Sequence, residues 1–169
     1  MSKAVGIQIP QLTRYAFDTV LYDLLCTLWL HSTDCAYKLE FWDIAEEKIL
    51  HQLDLHEPIL GLRLTDKYLL ILLEDRVVCV ENAWSKVQQR IVPGIIRSIY
   101  NTGSNPHALA CINGDIMVLP GQTPGQAQIT SLADKTKRII PAHNSALKAM
   151  ALSKDGKLLA TAGEQVRRS

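Results

Sequence analysis

The side chains best suited to chemistry are scattered along the chain. The four cysteines, Cys26, Cys35, Cys79 and Cys111, form no Cys-x-x-Cys pair, and no histidine stands at zinc-ligand spacing from them. The mixed histidine, aspartate and cysteine content from Asp23 to Cys35 follows no motif. A nucleophile elbow and a phosphate-cradling glycine loop are also missing. Gly121-Gln122-Thr123-Pro124-Gly125 carries two glycines, but its proline and the apolar runs on either side make it a hairpin loop. The chain therefore reads as non-enzymatic, with no metal, no cofactor and no small-molecule substrate. The basic cluster Lys135, Lys137 and Arg138 would attract anionic headgroups by roughly 1 kcal/mol per charge near a membrane surface. Asp134 beside it and the shortness of the run favour the plainer reading, a solvated loop.

Composition narrows the class of protein. A chain of 169 residues that is 47% hydrophobic and 21% charged can build a real core. A net charge of +1 exerts no global pull on nucleic acid, so anion binding would need a local patch. The most apolar early stretch, Leu24 to Leu30, falls far short of the ~20 residues a spanning helix requires. The N-terminus lacks the basic and apolar regions of a secretory signal. With unpatterned cysteines, these features point to a reducing, cytosolic setting.

From Tyr37 onward, short apolar runs alternate with turn chemistry. Runs such as Ile59 to Leu64, Tyr68 to Leu73, Arg76 to Val80, Val87 to Val92, Ala108 to Ile112 and Ile116 to Leu119 predict strands. Glu74-Asp75, Asn113-Gly114, Pro120-Gly121 and Lys154-Asp155-Gly156 predict tight turns between them. The expected class is all-β.

An internal repeat organises these strands. His56-Glu57-Pro58-Ile59-Leu60-Gly61-Leu62 lies over His143-Asn144-Ser145-Ala146-Leu147-Lys148-Ala149, at twice the roughly 40 to 45 residue period of a WD-type blade. Midway, Asn105-Pro106-His107-Ala108-Leu109-Ala110-Cys111 opens another unit, and Trp42-Asp43 closes a strand with the dipeptide typical of such blades. One blade buries its faces only against neighbours, so blades form closed rings. At roughly 42 residues per blade the chain holds three to four of a seven-bladed ring. The expected organisation is an atypical segment over residues 1–36, a partial propeller over 37–165 and a divergent tail over 166–169. A truncated chain with an open final edge is implied.

The motifs resemble the PROPPIN family of phosphoinositide-binding propellers. Leu39-Glu40-Phe41-Trp42-Asp43-Ile44 through Val77-Val78-Cys79-Val80 is similar to the family's second and third blades. Asn105-Pro106-His107-Ala108-Leu109-Ala110, Val118-Leu119-Pro120-Gly121 and Gly125-Gln126-Ala127-Gln128-Ile129 resemble its N-P-x-G-L-x-A, L-A-F-P-G and G-x-V-Q-I runs. Ile140-Pro141-Ala142-His143, Ala149-Met150-Ala151-Leu152-Ser153 and Leu159-Ala160-Thr161-Ala162-Gly163-Glu164 resemble I-P-A-H, I-A-L-S and I-A-T-A-S-E.

The resemblance implies an autophagy adaptor that docks on membranes carrying phosphatidylinositol 3-phosphate or the 3,5-bisphosphate. It also implies autophagy-related protein partners, and a cytoplasmic location at preautophagosomal, endosomal or vacuolar membranes. In the family, an Arg-Arg motif joins hydroxyl and imidazole donors around phosphate. By position, His143 would supply the imidazole and Thr161 the hydroxyl. Gly163 stands where the family has serine, which removes a donor. Val166-Arg167-Arg168-Ser169 imitates the arginine motif but comes too early, so the fragment's function is expected to be impaired. Two structural alternatives remain: His143 as a hydrogen-bonding residue of the repeat, with His56 as its mate, and Thr161 as a turn-bonding hydroxyl at a strand end. A generic WD-type interaction scaffold without lipid binding is the competing function.

Overall fold

The computed structural model describes residues 24–27, 38–43, 48–65, 67–81, 84–85, 90–91 and 96–164. Most of 1–36 and all of 166–169 lie outside these residues, including Arg167 and Arg168 of the imitation motif. All the elements described are β-strands, in two compact units divided between Glu57 and Pro58.

In the first unit, β1 (Leu24–Thr27), β2 (Lys38–Asp43) and β3 (Lys48–Asp54) form an antiparallel sheet in that order. Trp42 of the Trp-Asp dipeptide pairs with Leu25 and Ile49, next to a bulge in β2.

In the second unit, β4 (Gly61–Leu64), β5 (Tyr68–Leu72), β6 (Arg76–Glu81) and β9 (Ile96–Asn101) make one four-stranded sheet. The next sheet is β10 (Cys111–Asn113), β11 (Ile116–Pro120), β12 (Gln126–Ser131) and β13 (Lys137–Pro141), again in sequence order. A pair, β14 (Leu147–Leu152) and β15 (Leu159–Gly163), follows. Of the expected run Val87 to Val92, only Arg90 and Ile91 lie among the described residues. They form β8 (Arg90–Ile91), which pairs with β7 (Trp84–Ser85) in a separate hairpin. The fourth place in the first sheet is held by β9, antiparallel to β6.

Strand β11 of the middle sheet is covered on both faces, which is why Ile116 to Leu119 reads as an unbroken apolar run, whereas β13 is exposed along its length. Side chains alternate across β11: Met117 and Leu119 join Tyr68, Leu70, Leu72, Val77 and Cys79 of the preceding sheet in one cluster. Val118, between them, packs with Ala127 of β12 and with Leu147 of the following pair in another. Met117, Val118 and Leu119 are all fully buried. A single strand thus contributes to two inter-sheet cores.

Polar side chains on the first strands join neighbouring sheets. Arg63 Nε donates to the Ala110 carbonyl and Nη2 to the Ala108 carbonyl, each at 3.1 Å. Asn113 Nδ2 donates to the Ser153 and Lys154 carbonyls in the β14–β15 turn. The Cys111 thiol donates to the Met150 carbonyl at 3.3 Å, and burial pushes its pKa up, which keeps it a donor. Strand β10 starts later than the apolar run Ala108 to Ile112 because Ala108 is left-handed, with φ 48°. Its N–H closes a turn onto the Asn105 carbonyl, and the buried Asn105 side chain holds both the N–H and the carbonyl of Leu109. The left-handed conformation costs an alanine about 1–2 kcal/mol. Ala108→Gly is therefore expected to raise stability by about 0.5–1 kcal/mol, after the greater backbone entropy of glycine in the unfolded chain. Urea denaturation would measure this, and a fall in midpoint would show that the methyl's packing outweighs the strain.

Candidate functional site

The site is built from the β11–β12 loop outward. Gly121 N–H bonds to the Gln126 carbonyl and Gln126 N–H to the Thr123 carbonyl, folding 121–126 into a tight hairpin loop. At its end Gly125 is left-handed, φ +82°, and its carbonyl accepts from the N–H groups of both Ala142 and His143 at 3.0 Å. The chain leaving β13 lies directly on this glycine. A Cβ at 125 would fall 1.9 Å from the His143 carbonyl oxygen and 2.8 Å from that of Ser145. Only glycine fits, for its conformation and for its lack of a side chain.

Held there, the half-buried imidazole of His143 brings Nε2 to 3.0 Å from Oγ1 of Thr161. The two residues singled out in the sequence, eighteen positions apart, form one hydrogen-bonded pair whose donor is set by the imidazole tautomer. Thr161 is not at a strand end. It is the third of five residues in β15 and pairs with Met150. Gly163 lies two residues on, on the same face of β15, and a Cβ there would come within 2.8 Å of the His143 ring.

The neighbouring contacts are polar. Ser145 Oγ donates to the Glu164 carbonyl, and Glu164 N–H to the Ala146 carbonyl. Lys148 Nζ lies 3.4 Å from Glu164 Oε1 and 3.1 Å from His107 Nε2. This exposed triad had no signal in the sequence, since its members come from three separate segments.

The repeat positions do not share a role. His56 in the first unit is exposed and left-handed, φ 56°, and its Nδ1 meets Asp54 at 3.3 Å. Asn105 binds Leu109, as above. The repeat preserves the backbone path and leaves each side chain to its own surroundings, so His56 gives no guide to His143.

No family model matches the chain. SVP1-like protein 2 of Emericella nidulans is 35% identical over 127 residues, covering 75% of this chain and 38% of the relative. Autophagy-related protein 18e of Arabidopsis thaliana is 27% identical over 129 residues, 74% of this chain and 32% of the relative. The solved structure of Kluyveromyces lactis Hsv2 matches with a TM-score of 0.68 at 14% identity, over 85% of this chain and 42% of that one. KlAtg21, solved in complex with the coiled coil of AgAtg16, matches with a TM-score of 0.62 at 14% identity, over 85% and 46%. The chain belongs to the PROPPIN family of β-propellers.

It spans well under half the length of the PROPPIN relatives it matches, 38% and 32% of the two above. Its four-stranded sheets are the blades of the PROPPIN fold. The basic cluster lies away from the His143–Thr161 pair. Lys135, left-handed with φ 60°, sits in the β12–β13 turn, and exposed Lys137 and Arg138 begin β13. At roughly 3.3 Å per residue, the strand carries His143 about 20 Å from Lys137. Asp134 is committed to the same turn. Hydrogen bonds from the Ser131 hydroxyl and from the N–H and hydroxyl of Thr136 lower its pKa from 3.8 to about 2.

Two predictions follow from this geometry. Gly125→Ala should cost about 3 kcal/mol or more. Gly114→Ala, also left-handed but facing open space, should cost only about 1–2 kcal/mol; equal losses in denaturant titration would contradict the clamp on His143. The second concerns acid stability. The folded pKa of Asp134 is below its unfolded one, so its contribution is complete above the ordinary value of 3.8 and disappears as pH falls toward about 2. Asp134→Asn should make the acid limb of the stability profile shallower across that window.

Proposed function

We propose that the chain contributes the imidazole and hydroxyl of a phosphate pocket in an autophagy-related propeller recruited to membranes carrying phosphatidylinositol 3-phosphate or the 3,5-bisphosphate. The observation that carries this reading is the 3.0 Å contact between His143 and Thr161, since the family resemblance implies one pocket for both positions. Their chemistry suits it. An imidazole and a hydroxyl offer directed hydrogen bonds without a fixed charge, so they orient a phosphate, while guanidinium groups of the family's arginine motif neutralise it. Gly163 supplies no donor where the family run has serine. The pair by itself is a weak ligand set, and the cytoplasmic face of a membrane, with its negative surface potential, is where local cations would assist it.

Protein partners are the second element of the proposal. The solved complex of KlAtg21 with the coiled coil of AgAtg16 supports autophagy-related proteins as partners of this chain.

Co-sedimentation with vesicles tests the lipid reading. The 169-residue chain should pellet more with vesicles containing phosphatidylinositol 3-phosphate than with phosphatidylinositol alone. The double substitution His143→Ala with Thr161→Ala should reduce the lipid-dependent part about tenfold, equivalent to roughly 1.4 kcal/mol. Sedimentation indifferent to the 3-phosphate, or to the double substitution, would remove the assignment and favour a scaffold that binds only proteins.

A further inference from the structure

We infer that Gly163 is the positioning residue for His143: the bare backbone at 163 is the surface on which the imidazole lies, and only from there does Nε2 reach Thr161. A Cβ built at 163 would meet His143 Cγ at 2.8 Å, Cβ at 2.9 Å and Nδ1 at 3.0 Å. These atoms are the root of the side chain and the near edge of the ring, so no flexible tip can swing aside to make room. The backbone cannot retreat either. The His143 N–H is tied to the Gly125 carbonyl at 3.0 Å, and its own carbonyl fills the space where a Cβ at 125 would sit. The ring is thus held between two glycines, one beneath its backbone and one beneath its edge.

The side-chain period of two in a strand explains the arrangement. Thr161 and Gly163 share one face of β15, and the imidazole bridges them, with Nδ1 toward 163 and Nε2 toward 161. Nε2 meets Thr161 and Nδ1 lies over residue 163, so the imidazole is presented in one orientation. Gly163 differs from Gly125 in an important respect. It lacks the left-handed φ that Gly125, Gly114 and Gly156 adopt, so a side chain at 163 strains no backbone, and its effect falls on the ring. Any residue with a Cβ should rotate the imidazole about its side-chain torsions, break the bond to Thr161 and free both groups. The positioning stands on this geometry; only its bearing on phosphate rests on the reading proposed above.

The test is spectroscopic. In the full chain labelled with 15N-histidine, long-range proton–nitrogen correlations above the titration range of imidazole should show His143 as a single tautomer. Gly163→Ala should move its two nitrogens to the averaged positions of free histidine. Thr161→Val should do the same, and the combined variant should add nothing further. Ala162→Ser, an exposed neighbour on the opposite face of β15, should leave His143 unchanged. His143 nitrogens that stay put in a folded Gly163→Ala chain would overturn the inference. If that variant does not fold, unmoved nitrogens in Thr161→Val would overturn it equally. The vesicle measurement separates the two readings. A tautomer change without lipid-dependent sedimentation defeats the phosphate reading and leaves the positioning intact; lipid-dependent binding with unmoved nitrogens defeats the positioning alone.

Discussion

A strand buried on both faces of its sheet has to be covered by two neighbours, and this constraint organises the second unit. Strand β11 shows it most directly. Met117 and Leu119 belong to the core shared with the preceding sheet, and Val118 to the core shared with the following pair. At roughly 25 cal/mol per Å² of apolar surface, neither core can be given up, and neither sheet is complete without the other. The unbroken apolar run Ile116 to Leu119 is the direct record of this two-sided burial.

Close stacking brings polar groups into the seams, and the seams are where the chain is individual. Arg63, Cys111 and Asn113 each use a side-chain donor on a carbonyl of the next sheet. These bonds satisfy carbonyls that the stacking would otherwise leave without partners, at a net gain of about 1 kcal/mol each. Ala108 accepts a left-handed backbone so that the chain can turn between sheets, held by Asn105 and gripped by Arg63. Where the family motif has glycine, alanine keeps the path and stores some strain.

The same stacking forms the site. The loop before β12 reaches the segment between β13 and β14, and Gly125 lets the two backbones touch. That contact fixes the root of His143, and the absence of a side chain at 163 lets its ring reach Thr161. Three chain segments therefore converge on one hydrogen bond, and two glycines, residues without any chemistry of their own, determine its geometry. The departure from the family's serine looked in sequence like a lost donor. In the structure it is also the space that the imidazole fills.

The all-β class, the sheet period and the hairpin loop at 121–125 were legible in the residues, and the family resemblance supplied His143 and Thr161 as candidates. These are local or repeating signals: turn residues at fixed places, apolar runs of strand length and motifs in a set order. The sequence put Thr161 at a strand end, set His56 beside His143 as a repeat mate, and gave no sign of the His107–Lys148–Glu164 contacts or of what lies under Gly163. Those were decided only by tertiary structure. The physical reason is that a strand's register and a side chain's neighbours depend on the adjoining sheet, and residues far apart in sequence come within bonding distance only after the sheets have stacked.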